Sequence, residues 1–432
     1  MGYGYLALAV KSEHDNYLVG NPQFTYFKAV YKRHTNFSSD FQEITFAHNT
    51  EDCWGKKIYL KVPKNGDLIH RCYLAIDVDI KGSGPEREFG GLKDWDLHTW
   101  GGGNGTASYA PFAYNFIEYI DLYIGDQLID KHTGSWLNLH NSYYENSDKI
   151  TSLHALGKVP TAAGNHTITT PLRFWFNNHV GNSLPLIALQ YSKVTLKIKL
   201  NDTQEINTSG GSPSTNTPVL IESMNLLIEN IYLDKEERRA FTTNKHEYLI
   251  TQLQVSLNNN IRKFEDLYPL SDFVEDIRFK IPLYFRYPVK EIFWTIQNQV
   301  KTDDNNEINI GTNKFNYWRD FNKYTDQMRV CTIELNGQEL VDELPAKFFR
   351  EVQRFQYHSG INDNGSYSYS FAIDPENNQP SGSLNFSKLE NAFLKIGFPK
   401  SGTAPKICIS TYAINYNVLR VMSGVAALEF VN

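Results

Sequence analysis

Cysteine is scarce in this chain: four in 432 residues, at Cys53, Cys72, Cys331 and Cys408. They form no C-x-x-C pair and no zinc-ligand spacing, which argues against a disulfide framework and suits folding in a reducing compartment. Positive charge is not in excess either. Lys and Arg number 42 against 48 Asp and Glu, for a formal net charge of -6, so nothing suggests a surface built to neutralise nucleic-acid phosphates, and no direct nucleic-acid partner is expected. Long apolar runs are missing: no stretch reaches the length of a bilayer span. The start offers only Leu6 to Val10 with no basic stretch before it, and Leu6 stands where a myristoylation signal wants Ser or Thr. Neither a signal peptide nor a lipid anchor is expected, and synthesis is expected in the cytoplasm.

Recognisable chemistry is missing as well. The 12 histidines include no H-x-H and no H-E-x-x-H, so the metal site that some β-sandwich proteins build has no motif here. Asp303, Asn305 and Glu307 alternate like calcium-loop ligands, but the sharp-turn glycine is absent. Gly101-Gly102-Gly103 has neither the strand before it, the helix after it nor the Lys of a phosphate-binding loop. No G-x-S-x-G nucleophile turn occurs. The expectation is a protein without enzymatic activity and without cofactor or metal.

What is present is aromatic and strand-like. Tyr and Phe number 26 each, and alternating apolar positions recur along the chain, most cleanly in Val194 to Leu200. The Asp121 to Asp130 stretch (DLYIGDQLID) returns as Thr332 to Asp342 (TIELNGQELVD), each followed by a large apolar pair, Trp136-Leu137 or Phe348-Phe349. Strand, tight turn, strand and helix is the reading in both places, with the helices near 134–144 and 345–352. Aligning Gly125 with Gly337 gives an offset of 212. Ile58 to Pro63 matches Ile277 to Pro282 at an offset of 219, and Pro185 to Lys193 matches Pro380 to Lys388 at 195. Offsets that fall in chain order indicate one design written twice, the second with shorter loops.

Strand periodicity divides the chain into an aromatic and cationic arm at 1–39, a first β-sandwich at 40–234, a charged linker at 235–244 and a second β-sandwich at 245–432. About eight strands fall in each half, including 167–176 in the first and 367–373 in the second. The fold expectation is all-β: two tandem eight-stranded antiparallel jelly-roll sandwiches with a few short helices in loops. The arm carries Lys28, Tyr31, Lys32 and Arg33. A glycine-rich insertion at 82–113 carries Trp95 and Trp100. N-x-S/T sequons occur at Asn36, Asn104, Asn165, Asn201, Asn207, Asn364 and Asn385, but an Asn-rich chain yields these by chance, and without a signal peptide the usual glycosylation machinery is out of reach.

Several motifs together resemble the major capsid proteins of the nucleocytoplasmic large DNA viruses, the phycodnavirus, iridovirus and mimivirus lineage. They are Gly20-Asn21-Pro22-Gln23, Tyr31-Lys32-Arg33-His34-Thr35-Asn36-Phe37, Leu184 to Tyr191 (LPLIALQY), Glu236-Glu237-Arg238-Arg239 before Phe241, Gln379 to Ser387 (QPSGSLNFS) and Tyr412 to Arg420 (YAINYNVLR). The resemblance implies a structural virion protein, three chains per pseudo-hexagonal capsomer, and capsomers tiling an icosahedral shell. It implies outward-facing loops at 82–113, 132–167, 300–328 and 343–366, with surface glycans as a further possibility of the lineage. Trp95 and Trp100 would lie at a subunit contact. Lys28, Tyr31, Lys32 and Arg33 would face minor capsid proteins or an internal membrane. The competing classes are a jelly-roll protein that binds or cleaves carbohydrate, and a viral scaffold protein that shapes a membrane without staying in the particle.

Overall fold

The computed structural model describes residues 3–10, 12–46, 53–80, 113–157, 164–201, 219–258, 277–301, 308–310, 317, 325–360, 364–398 and 406–431. The chain divides into two compact units, Met1–Phe37 and Ser38–Asn432. The first unit contains two short helices, Tyr3–Ala9 and Asn16–Val19. Asp15 ties down the approach to the second of them, its carboxylate accepting from Ser12 N at 2.7 Å.

The second unit contains four sheets. Strands β1 (Phe37–Thr45), β2 (Lys57–Lys61), β3 (Leu68–Ile80), β4 (Ile117–Ile124), β5 (Gln127–Thr133), β6 (Gly164–Pro171), β7 (Val194–Leu200) and β8 (Val219–Leu233) form two four-stranded sheets, β1-β8-β3-β6 and β2-β7-β4-β5. Alternation explains the first core: in β7, Val194, Leu196, Ile198 and Leu200 are buried while the residues between them are half-exposed. They meet Leu74, Ile76, Val78 and Leu226 from the facing sheet. The helix Lys235–Thr243 follows, its N-terminal Lys235 N–H bonded to the Asp234 carboxylate at 2.8 Å.

The remaining strands are β9 (His246–Asn258), β10 (Ile277–Pro282), β11 (Pro288–Lys301), β12 (Ile308–Ile310), β13 (Val330–Leu335), β14 (Gln338–Pro345), β15 (Tyr367–Ser370), β16 (Leu384–Asn385), β17 (Ala392–Phe398), β18 (Lys406–Met422) and β19 (Val425–Leu428). One sheet runs β10-β17-β13-β14, and the other contains β9-β18-β11-β15 side by side. Setting aside the short β12, β16 and β19, both copies read 1-8-3-6 in one sheet and 2-7-4-5 in the other. That connectivity, shared by two sandwiches, is a double jelly roll.

The repeat can be placed residue by residue. In the first hairpin Ile124 pairs with Gln127 and Ile129 is bulged out between Leu128 and Asp130; in the second Leu335 pairs with Gln338 and Leu340 is bulged out between Glu339 and Val341. Subtracting Ile124 from Leu335 gives 211, and the same offset carries one bulge onto the other. The glycine-to-glycine alignment at 212 is therefore off by one: Gly125, φ 64°, corresponds to Asn336, φ 49°, the first residue of each two-residue turn. Ile58 and Leu60 face Ile198 and Leu196, whereas Phe279 and Ile281 face Ile396 and Leu394. Ile58 thus corresponds to Phe279, an offset of 221, two residues from the sequence match and on the same face.

Elsewhere the elements are shorter or more numerous than the pattern implied. The 167–176 strand stops at Pro171 and gives way to a helical turn, Trp175–Asn178, whose first residues Trp175 and Phe176 are buried. The strand from Tyr367 ends at Ser370. A further helix, Ser147–Gly157, lies where only a polar loop was expected.

Candidate assembly surfaces

In the first unit the aromatic side chains are exposed. Phe27 is 98% and Tyr31 88% exposed, with Tyr3, Tyr5, Tyr17, Phe24 and Tyr26 also open to solvent. Lys28, Lys32 and Arg33 are exposed among them. A contiguous segment this apolar and this accessible has the character of a surface made to be covered.

The outward faces of the two 2-7-4-5 sheets are alike in backbone and different in chemistry. Lys197 on β7 and Lys395 on β17 occupy the same place in the two registers. Lys197 sits over the Tyr123 ring at 3.5 Å. Lys395 instead pairs with Glu334, which stands where Tyr123 does, at 2.5 Å, and Lys280 reaches the same carboxylate at 2.6 Å. Hydrogen bonds from these two lysines hold the Glu334 carboxyl below its usual range.

Between the sandwiches lies a buried seam. The helix Gly134–Tyr144 begins with Thr133 Oγ1 accepting from Trp136 N at 3.2 Å. Its first residue is pressed against the chain at 114–117, where an added Cβ would lie 2.2 Å from the Tyr114 carbonyl oxygen. Trp136, Leu139 and Tyr143 project onto Phe293 of β11 and onto Tyr412 and Ile414 of β18. Trp136 stacks on Tyr412 at 5.7 Å and meets Phe293 edge-on at 5.6 Å. In the second copy Phe349, the counterpart of Leu137, packs on Trp294 at 5.3 Å within its own core, as Leu137 packs within the first. Because the β11–β18 sheet is covered on both faces, Phe293 and Trp294 are buried on opposite sides.

Further links reinforce the seam. Leu253 N donates to Asp130 Oδ1 at 3.0 Å, and Tyr191 N to the Gly424 carbonyl at 2.8 Å. Ile250, Leu419, Val421 and Ala426, from the second copy's strands, complete the first sandwich's core.

Charged groups are buried beside the aromatic contacts. Glu291 is fully buried, with His358 Nε2 at 3.4 Å and Lys290 Nζ at 3.7 Å. Burial, reinforced by Glu376, pushes its carboxyl well above the usual range. Burial drives Lys290 down to about 8 although Glu376 and Asp374 pull the other way, and its ammonium donates to the Pro375 carbonyl at 2.7 Å. His358 is lowered by burial, against the pull of Glu376. Among the described residues no group of three or more His, Cys, Asp or Glu is arranged to hold a metal. No helix of the described residues is long and apolar enough to cross a membrane.

Of the residues singled out from sequence, Lys28, Tyr31, Lys32 and Arg33 lie on the exposed first unit, and Trp95 and Trp100 lie outside the described residues. The seam was missed. Two signals pointed to it: the Trp136-Leu137 pair behind the repeated hairpin, and the adjacent charges Lys290-Glu291 set between Val289 and the apolar run Ile292-Phe293-Trp294.

Two family models cover most of the chain. "Major capsid protein N-terminus" matches residues 25–234, and "Large eukaryotic DNA virus major capsid protein" matches 237–427. The major capsid protein of Pyramimonas orientalis virus is 32% identical over 464 aligned residues, covering 100% of both chains. That of Paramecium bursaria Chlorella virus 1 is 30% identical with the same coverage. Among solved structures, PBCV-1 VP54 superposes with a TM-score of 0.73 at 26% identity, covering 94% of this chain and 100% of that one. The Faustovirus major capsid protein, at 11% identity and a TM-score of 0.63, shares the fold. With a repeated jelly roll and full-length likeness to these relatives, the chain belongs to the major capsid protein family of the large eukaryotic DNA viruses.

Proposed function

We propose that the chain is the subunit of a homotrimeric, pseudo-hexagonal capsomer, and that these capsomers tile the icosahedral shell of a large double-stranded DNA virus. The observation that carries this is the shared connectivity of the two sandwiches, down to one bulge in one hairpin. Three chains then offer six sides of nearly the same backbone shape, so a threefold object packs in a nearly sixfold array. The chemical contrast between the Lys197–Tyr123 and Lys395–Glu334 faces supplies a way to tell one side from its neighbour.

In this reading 40–234 and 245–432 are the two sandwich domains, 235–244 joins them, and 1–39 is an arm. The arm's Lys28, Tyr31, Lys32 and Arg33 contact minor capsid proteins or an internal membrane on the inner face. Trp95 and Trp100 sit at a contact between subunits, and the outward loops carry glycans where these are attached. The protein catalyses nothing; it is made in the host cytoplasm and acts in the virion. Light scattering on the purified chain tests the core of this: the expected mass is three times the 49.6 kDa of one chain. A monomer at high concentration would overturn it.

A further inference from the structure

The repeat implies a second seam. Past a further bulge between Cys331 and Ile333, which the first hairpin lacks, the offset between the copies rises from 211 to 212. Subtracting Leu137 from Phe349 gives that 212. It carries Leu137 and Asn141, which the first helix turns toward its own sandwich, onto Phe349 and Gln353 of the helical run 346–357, and all four are buried. The residues turned toward the other sandwich, Trp136 and Tyr143, fall on Phe348 and Phe355. Tyr143 meets Phe293 edge-on at 4.9 Å. Phe355 meets solvent instead, 87% exposed, with Val352 just before it 37% exposed.

The sheet that receives such a helix is duplicated as well. A register shift follows Ile69 in β3 as one follows Val289 in β11. The offset there is 289 minus 69, or 220, so Tyr73 corresponds to Phe293. Leu227, paired with Tyr73, then corresponds to Tyr412, paired with Phe293. Tyr73 and Leu227 are half-buried. Phe41 of β1 is on the same outer face, since Ile44 and Phe46 point into the core, and it is 59% exposed. Tyr73 borders a cavity of about 570 Å³ that Arg173 and Lys290 also line. Where the second sandwich holds Tyr143 against Phe293, the first has open space.

We propose that the helical run 346–357 of one chain docks through Phe355 and Val352 on the outer face of β1-β8-β3-β6 in a second copy, against Tyr73 and Leu227. The contact repeats between chains what Trp136 and Tyr143 make within one. It rests on the trimeric reading above and names the surfaces that join its chains. A ring of alternating sandwiches then uses one kind of contact throughout, inside each chain and between neighbours. Glu351 stands where Leu139 does and is paired with Arg350 at 2.7 Å. The contact between chains is therefore more polar than the seam, as suits surfaces that are wet before assembly.

Analytical ultracentrifugation of the full-length protein and of Phe355→Asp is the test. With the side chain 87% exposed, the substitution keeps the chain's own fold, which circular dichroism checks, and each contact between chains should weaken by about thirtyfold or more. A second measurement does not depend on that variant. A benzophenone side chain installed at position 355 should, on irradiation, join to residues of 68–80 or 219–233 in another chain, as peptides from mixed isotope-labelled chains would reveal. A monomeric parent overturns the trimer and this contact together. A trimeric parent with Phe355→Asp equally trimeric at every dilution, or a benzophenone product that maps elsewhere, overturns this contact alone.

Discussion

Trp136→Ala should weaken the joint between the sandwiches more than any surface change on the same loop. The indole is 2% exposed and meets Tyr412, Phe293 and His140 at ring separations of 5.7, 5.6 and 5.9 Å. Truncating a buried Trp to Ala costs about 3–5 kcal/mol, and aromatic partners of this kind add about 0.5–1.5 kcal/mol beyond area alone, which places this site toward the upper end. For domains of about 200 residues each kcal/mol lowers the melting temperature by roughly 2–4 °C, so a fall of about 6–20 °C is expected. The assay is differential scanning calorimetry at fixed protein concentration, since assembly contributes to apparent stability. The lost coupling should also separate one transition into two. Phe349→Ala, at the place in the repeat equivalent to Leu137 and buried in the second core, should destabilise its own sandwich without that separation. Leu156→Ala, 46% exposed on the next helix, should stay within about 0.5 kcal/mol of the unaltered protein. If Trp136→Ala melts within about 2 °C of the parent as a single transition, the helix does not hold the sandwiches together.

The buried carboxyl gives a pH signature. Glu291 has a folded-state pKa raised above the ordinary carboxyl value of 4.5, so the folded chain binds the extra proton, and its contribution is complete below about that pH and lost as pH rises through the folded value. Glu291→Gln fixes the protonated shape, and its melting temperature relative to the parent should climb from pH 5 to pH 8; a constant difference would contradict the assignment. His358, lowered by burial, acts in the opposite sense, its share being lost as pH falls below the ordinary imidazole value of 6.5. Gly337→Ala meets no atom within 4 Å and suffers only from its φ of 81°, a cost of about 1–2 kcal/mol. Gly134→Ala drives a Cβ into backbone oxygens at 2.2 and 2.5 Å and should prevent accumulation of folded protein; equal yields of the two variants would be the contrary result. Removing residues 1–25 should leave trimers intact and block complete shells, as seen by electron microscopy; closed shells would remove the arm from the assembly scheme.

Local pattern and family motifs reached far into this fold. Alternation in Val194 to Leu200 is visible because one face of that strand is buried and the other wet, and the repeated hairpin is visible because a two-residue turn admits few residue types. Where both faces are buried the period disappears: Val289 to Gln299 contains Phe293 and Trp294 in succession, serving two different cores. Alignment by residue identity placed glycine on glycine, whereas the register of the paired strands places Gly125 on Asn336, since either can take a left-handed conformation in a turn.

By itself, then, the sequence determined two similar antiparallel sandwiches in tandem and the family, because strand period, turn chemistry and motif order are local properties of the chain. Only the tertiary structure decided how the copies lock together. Trp136 meets Tyr412, and Arg173 shares a cavity with Lys290, across separations that no periodicity encodes. Which face a helix buries, and which charges are brought together, follows from packing in three dimensions.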